Sequence, residues 1–169
     1  PSASITESHL ADKLLAFRQQ QDGFLVPSFN PISGSGPNGA IVHYRAIAGA
    51  DRELASDDLL LLDSGGHYRD GTTDITRTIA IGTPPNGAVA AYSHVLQSHI
   101  HLAIAKFPTG TNGKQLDAIA RAPLWAAGLD FAHGTGHGVG HVLSVHEGPA
   151  SISKRGEVAL EAGMVLSNE

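Results

Sequence analysis

The sequence predicts an α+β fold in which an antiparallel or mixed sheet is flanked by helices. Three observations support this prediction: a helical pattern near the N-terminus, a group of short apolar and β-branched runs after it, and two long helical segments farther along. Helical and strand-like segments are grouped rather than strictly alternating, and such grouping is typical of α+β proteins.

The first half of the chain is predicted to contain one helix and three strands. The helix spans residues 7–21, where apolar side chains recur at helical spacing, and Thr6 or Ser8 is placed to cap its first turn. The segment after it, rich in Gly, Ser, Pro and Asn, is predicted to be a loop. The predicted strands are residues 40–44, 59–62 and 73–81.

The second half is predicted to contain two helices, at residues 88–106 and 115–127, and a strand at residues 164–167. Asn112 is a suitable N-cap for the second helix, and Gly128 is a suitable stop. The histidine-rich segment that follows has too many glycines to be helical.

Composition narrows the classes of function. With 169 residues, 41% hydrophobic and 16% charged, and without repeats or low-complexity linkers, the sequence predicts a single domain over residues 1–169. The net charge of −5 offers no basic surface to a nucleic acid. We expect no membrane partner, because no apolar run approaches the roughly 20 residues of a spanning helix. Because cysteine is absent, a metal would have to be bound by His, Asp or Glu.

Two aspartates lie on a predicted hairpin, in the segment "LLLLDSGGHYRDGTTDITRT". If the turn is centred on Tyr68 and Arg69, Asp63 and Asp74 face each other on one side of the two strands. Two carboxylates so placed repel unless a cation lies between them. The alternative is a turn-capping Asp beside a solvated one. We favour the functional interpretation because Asp63 directly follows four leucines, where an unpaired carboxylate is costly.

The segment "HGTGHGVGHVLSVHEG" carries four histidines: His133, His137, His141 and His146. For any single histidine, a solvent-facing or core ring is the better interpretation, but for the cluster at least one metal ligand is predicted. His141 is the weakest candidate. The histidines at positions 9, 67, 94, 99 and 101 are predicted to be surface or helix residues.

Other chemistries lack their motifs. Neither "GTGHGVG" nor "GTNGKQ" fits a phosphate-binding loop, and no G-x-S-x-G elbow is present. Glu169 follows the last predicted strand and adds a carboxylate, with a solvated side chain as the alternative. Carboxylates with an imidazole suit Mn, Co, Fe or Zn better than Ca. Two carboxylates on facing strands are also a way to bridge a pair of metal ions.

Five segments occur in the order and spacing of a known family: "PNGAIVHY", "LLDSGGHYRDGTTDITRT", "HGTGHGVG", "VHEGP" and "LEAGMVLSNE". On these segments the sequence resembles the pita-bread (creatinase/aminopeptidase) metallopeptidases, and among them the Xaa-Pro aminopeptidases (aminopeptidase P) of the longer, three-domain type. The resemblance covers nearly the whole chain. It implies the pita-bread fold and a catalytic domain.

The resemblance implies a role for seven residues. Four positions match metal ligands, and in the family the second aspartate bridges both ions. Three histidines match active-site groups that hold the substrate, stabilise the tetrahedral intermediate or move protons. The implied metal ligands are Asp63, Asp74, His137 and Glu169, and the implied catalytic histidines are His43, His133 and His146.

The implied activity is hydrolysis of an N-terminal Xaa-Pro bond by a metal-activated water. The implied cofactors are two divalent ions, with Mn expected and Co or Zn as alternatives. The substrates would be peptides with proline in second place, and the full-length protein would be a cytoplasmic homodimer. Prolidase, methionine aminopeptidase and a non-catalytic peptide- or protein-binding module are the alternatives.

The family also has a second bridging glutamate on a later strand, together with N-terminal domains that restrict the site. Neither lies within this sequence. We therefore expect a catalytic domain that is truncated at its C-terminus, and we expect these 169 residues alone to be inactive.

Overall fold

The computed structural model describes residues 4–169, and residues 1–3 of the predicted domain lie outside the described part. The chain forms two compact units that divide between Asn86 and Gly87. Within residues 4–169, all pairings between strands are antiparallel, and helices accompany them in each unit. The predicted α+β class is confirmed. None of the helices in the described residues is long and apolar enough to cross a bilayer.

The first unit begins with helix α1, Glu7–Gln19. The Thr6 side chain accepts a hydrogen bond from the His9 backbone N–H, and His9 Nδ1 accepts one from the Thr6 N–H. This reciprocal cap satisfies two backbone donors that the first turn leaves without helical partners. The predicted helix and its Thr6 cap are confirmed.

Six strands of the first unit form two small sheets. One has the order β1-β4-β5 and the other the order β2-β3-β6. Strands β3 and β6 confirm the strands predicted at residues 59–62 and 73–81. The strands are β1 Phe24–Pro27, β2 Ile32–Ser35, β3 Asp58–Ser64, β4 Gly66–Tyr68, β5 Gly71–Thr72 and β6 Ile75–Ile81.

Two predictions of secondary structure and one of exposure are wrong in the first unit. Residues 40–44 form no strand, because a 3₁₀ helix ends at Ala40 and His43 has a φ of +58°, which a strand does not allow. Residues 32–35, predicted as loop, are the buried strand β2, in which serines replace the usual apolar side chains. His67, predicted to be a surface residue, is 4% exposed on β4, with Nδ1 2.8 Å from the Thr72 hydroxyl.

The second unit contains α2 (Ala88–Ala103), α3 (Gly113–Ala126), β7 (Gly136–His137) and β8 (Ser151–Ile152). Both predicted helices are confirmed. Asn112 and Gln115 cap α3 reciprocally, and Gly128 follows the helix with a φ of +71°, as predicted for its stop. The core of this unit consists of Leu102, Leu116, Ala120, Ala150, Ile152 and Leu160, with Met164 and Leu166 packed against it.

The predicted strand at residues 164–167 is wrong as a regular strand. Only one bridge forms there, between Leu166 and Gly138. The backbone is nevertheless tied to the histidine-rich segment, because the Ser167 N–H donates to the His137 carbonyl at 2.8 Å and the Val139 N–H donates to the Val165 carbonyl at 3.0 Å. The C-terminal residues are therefore held beside β7.

Candidate active site

The hairpin that carries the two predicted aspartates has a different register from the predicted one. Strands β3 and β6 pair Asp63 with Thr76. The hairpin tip is centred between Arg69 and Asp70, one residue beyond the predicted centre. The prediction that Asp63 and Asp74 lie directly opposite each other is therefore wrong, by two positions.

The two aspartates still belong to the same side of the hairpin. Extending the observed register one pair beyond Ser64 puts Asp74 opposite Gly65, so that Asp63 and Asp74 are diagonal neighbours on one face. Both are half-buried. A side chain at Gly65 is impossible at this separation of the strands, because its Cβ would lie 1.9 Å from the Thr73 carbonyl oxygen.

In the second unit the structure brings His137 and Glu169 together. His137 Nε2 lies 2.7 Å from Glu169 Oε1. The other ring nitrogen, Nδ1, lies 2.8 Å from the Gly138 carbonyl oxygen, which can only accept, so Nδ1 carries a proton and donates it. Metal-binding histidines are commonly oriented in this way by a backbone carbonyl. The pair therefore presents one imidazole nitrogen and one carboxylate oxygen to the same point.

Ser167 joins these two residues and was not found by sequence reasoning. Its hydroxyl accepts from the His137 backbone N–H at 2.9 Å and donates to Glu169 Oε1 at 2.8 Å. The close approach requires glycine, since a Cβ on Gly136 would lie 2.3 Å from the Ser167 carbonyl oxygen. The glycines among the histidines are thus explained in part by backbone packing. A serine two residues before a candidate ligand was the only signal.

Charge is also organised at this pair. Burial raises the pKa of Glu169, but hydrogen bonds from His137 and Ser167, and the positive potential of His137 and His146, outweigh burial and lower the pKa below its usual value. The carboxylate is therefore favoured in its ionised form, with His137 Nε2 at 2.7 Å from Oε1. Metal ligands must lose their protons when a cation binds. A divalent cation fits the same two donor atoms.

The remaining histidines of the motif occupy different surroundings. The His146 ring lies 4.0 Å from that of His137, centroid to centroid, so His146 belongs to the His137–Glu169 group. The His133 ring stacks on Phe131 at 4.4 Å, and its Nδ1 lies 2.6 Å from the Gly134 carbonyl oxygen. His141, the weakest sequence candidate, lies in an exposed bend.

Arg121 supports the segment that leads into the motif. The side chain is 1% exposed and is paired with Asp117 at 2.9 Å and Asp130 at 2.6 Å. It also donates to the carbonyl oxygens of Phe131, at 2.7 Å, and His133. Burial lowers the pKa of Arg121, but the interactions with Asp117 and Asp130 raise it by more. The net pKa lies above its usual value, so the guanidinium group stays charged. The signal in the sequence was a charged i,i+4 pair on the buried face of α3.

His43 lies in an exposed turn of the first unit, and a buried carboxylate organises the residues around it. Glu7 is 0% exposed. It accepts hydrogen bonds from the Ser35 N–H at 2.6 Å, the Asn38 side chain at 3.0 Å and the Tyr44 hydroxyl at 2.7 Å. Glu7 therefore fixes the residues on either side of His43. Burial, and next the hydrogen bond to Glu7, raise the pKa of Tyr44 to about 12.

Glu7→Gln is expected to destabilise the protein in a pH-dependent way. Burial raises the pKa of Glu7, but its hydrogen bonds lower it below the ordinary 4.5. The carboxylate therefore stabilises the fold above pH 4.5, and this contribution is lost as the pH falls through the lower folded-state pKa. We expect a loss of about 1–3 kcal/mol at neutral pH that shrinks in acid. Urea unfolding at a series of pH values from neutral to acid measures the loss of stability. The exposed Glu157→Gln is the control. A loss of stability that does not depend on pH would contradict the prediction.

Comparison with known proteins adds to this geometry. Residues 2–169, nearly the whole chain, match the sequence profile of one peptidase family. The chain belongs to metallopeptidase family M24. The predicted resemblance to Xaa-Pro aminopeptidases is confirmed by the relatives within this family.

Two curated relatives illustrate the similarity. Aminopeptidase P2 of Arabidopsis thaliana is 52% identical over 170 residues, covering 99% of this chain and 24% of the relative. A probable Xaa-Pro aminopeptidase P of Laccaria bicolor is 52% identical over 168 residues, covering 98% of this chain and 26% of the relative. The chain thus spans about a quarter of the length of these M24 relatives.

Solved structures of the family share the fold. An X-prolyl aminopeptidase from Caenorhabditis elegans, described as a cytosolic enzyme with a di-nuclear active site, superposes with a TM-score of 0.91 at 47% identity, over 98% of this chain and 27% of that one. A prolidase from Pyrococcus furiosus superposes with a TM-score of 0.85 at 33% identity, over 96% and 47%. The predicted pita-bread fold is confirmed.

Proposed function

We propose that this chain is catalytic-domain sequence of a metal-dependent aminopeptidase that hydrolyses the bond between an N-terminal residue and a following proline. The observation that carries the proposal is the convergence of His137 Nε2 and Glu169 Oε1, with Nδ1 oriented by a carbonyl. The names of the relatives in Arabidopsis thaliana and Laccaria bicolor support the substrate class. We also propose that residues 1–169 belong to a single catalytic domain.

The proposed metal ligands are Asp63, Asp74, His137 and Glu169, with Asp74 shared by two ions. Their donor set, carboxylate oxygens with one imidazole nitrogen, suits Mn²⁺, with Co²⁺ or Zn²⁺ as alternatives. The di-nuclear site of the Caenorhabditis elegans relative supports a count of two. Two such ions, when bound, lower the pKa of a water molecule and polarise a carbonyl group.

The proposed catalytic histidines are His43, His133 and His146, which bind substrate, stabilise negative charge on the scissile carbonyl oxygen and move protons. The orientation of His133 supports this role. Its Nδ1 donates to the Gly134 carbonyl, so Nε2 is the ring nitrogen that remains to contact a ligand. His146 supports it by its position, because its ring lies 4.0 Å from that of His137.

Proline sets the substrate class apart by its chemistry. Its amide has no N–H and its ring fixes φ, so peptidases that grip an extended backbone through that N–H handle it poorly. Prolidase is the second candidate, because a prolidase shares the fold at 33% identity. Methionine aminopeptidase and a non-catalytic binding module remain as further alternatives. We also propose a cytoplasmic location, from the relative described as cytosolic, and a homodimer in the full-length protein.

The proposal is tested by peptide hydrolysis with the protein that carries this sequence. We expect arginine to be released from Arg-Pro-Pro, to stop after chelation and to return with Mn²⁺. The matched peptide Arg-Ala-Pro, which has alanine instead of proline in second place, should be hydrolysed far more slowly. Preference for the dipeptide Arg-Pro would instead identify a prolidase, and preference for Met-Ala-Ser a methionine aminopeptidase. No hydrolysis of any of them would favour the binding module.

A further inference from the structure

Arg18, near the end of α1, reaches the hairpin that carries the two aspartates. Its Nη2 donates to the Ser64 carbonyl oxygen at 3.0 Å and to the Ser64 hydroxyl at 2.9 Å. Its Nη1 donates to the Thr73 hydroxyl at 3.3 Å. One guanidinium group therefore holds one residue on each side of the hairpin.

These two residues are the immediate neighbours of the proposed ligands. Ser64 follows Asp63, and Thr73 precedes Asp74. The Thr73 hydroxyl also accepts from the Gly66 backbone N–H at 3.0 Å, so it links Arg18 to the opposite strand. The contact is made at the point where the strands run so close that only glycine fits.

The geometry points to Arg18 as a positioning residue for the metal ligands, an inference that rests on the proposed function. Two carboxylates on one face of a hairpin repel each other and would spread the strands when no cation is present. The planar guanidinium, with several donors in a fixed fork, holds both flanking residues at one separation. Arg18 thus prepares Asp63 and Asp74 for the ions.

A lysine cannot replace this side chain fully, because one ammonium group is a point charge without the fixed fork. Partners that orient metal ligands typically contribute roughly 10–100-fold to metal affinity. We therefore expect Arg18→Met to weaken Mn²⁺ binding by that factor, with Arg18→Lys in between. The exposed Arg155→Met should bind Mn²⁺ like the unchanged protein.

The experiment measures Mn²⁺ affinity by titration calorimetry, on proteins shown by circular dichroism to be folded at the temperature used. Arg18→Ala leaves space that a free guanidinium ion can fill, whereas Arg18→Met fills that space with apolar atoms. Millimolar guanidinium is expected to restore much of the affinity of Arg18→Ala and none of that of Arg18→Met. A merely structural role of α1 would not produce this difference.

The outcomes separate the two hypotheses. If the unchanged protein binds no Mn²⁺, the proposed function fails, and the inference about Arg18 fails with it. If the unchanged protein binds Mn²⁺ and the Arg18 variants bind equally tightly, only the role of Arg18 is overturned. Weaker binding that guanidinium restores in neither variant also overturns the positioning role, because loss of general stability then accounts for it.

Discussion

Asp74→Asn is expected to abolish peptide hydrolysis and to lower the metal content to one ion or fewer per chain. In the proposed site Asp74 is the aspartate shared by both ions. An amide keeps the shape of the carboxylate but has no negative charge and only one oxygen, so it cannot serve two cations at once. Loss of the second ion would remove half of the positive charge that the pair would supply to polarise the water and the carbonyl.

The hairpin offers a matched control for this substitution. Asp70 lies in the exposed turn of the same hairpin, and Asp70→Asn makes the same chemical change at a position outside the proposed site. Metal content by atomic emission and hydrolysis of Arg-Pro-Pro should be unchanged in Asp70→Asn. Two ions retained by Asp74→Asn would contradict the shared role, even if hydrolysis were lost.

The aspartate hairpin illustrates what sequence reasoning can and cannot deliver. The strands follow from an apolar run and from a run rich in Thr and Ile. The shared face of Asp63 and Asp74 follows from side-chain alternation, which depends only on the parity of the spacing. The register depends on where the chain turns, and a shift of the turn by one residue moves the pairing by two. In the structure the turn is centred between Arg69 and Asp70, one residue beyond the predicted centre, and this step accounts for the different pairing.

Strand β2 was missed for a different reason. Residues 32–35 read as loop because they consist of Ile, Ser, Gly and Ser, yet Ser33 and Ser35 are completely buried. Small side chains are needed here, since a Cβ on Gly34 would lie 2.9 Å from the Asn38 backbone. Composition reports the intrinsic secondary-structure preference of each residue. This strand instead forms because its small residues can pack closely against neighbouring segments.

Two of the three charged residues that support the site could not be recognised from the sequence. Glu7 and Arg18 join segments that are far apart in the chain, and a single sequence contains no record of such contacts. The contacts of Arg121 are local, and its i,i+4 spacing from Asp117 was visible. The motif residues were recognisable because their spacing is local. The contacts of Glu7 and Arg18 are long-range, and only the folded structure reveals them.

Arg121→Met is expected to be the most destabilising of the substitutions considered. Arg121 and Asp117 form a buried pair, with side chains 1% and 3% exposed. Removing one member leaves the other charge buried without its partner, which typically costs about 3–5 kcal/mol. Asp130 contributes less to this cost, because its side chain is 39% exposed and can be solvated when the arginine is gone.

A double substitution separates the buried charge from the loss of packing. In Arg121→Met, Asp117 retains a hydrogen bond from the Thr135 hydroxyl at 3.0 Å but no counter-ion among its described contacts. Adding Asp117→Asn removes the uncompensated charge while keeping the shape, so the double variant should recover part of the stability. If the double variant is as unstable as the sum of its parts, the charge argument is wrong.

The substitution should also have a local consequence for the active site. Arg121 donates to the carbonyl oxygens of Phe131 and His133 and lies over the Phe131 ring at 4.3 Å, so it holds the backbone that leads to the histidine motif. Without it, amide exchange from residues 131–135 should accelerate before global unfolding begins. Urea unfolding and hydrogen exchange measure the two effects, with the exposed Arg155→Met expected to change stability by less than about 0.5 kcal/mol. Equal behaviour of the two variants would mean that the buried network does not anchor the motif.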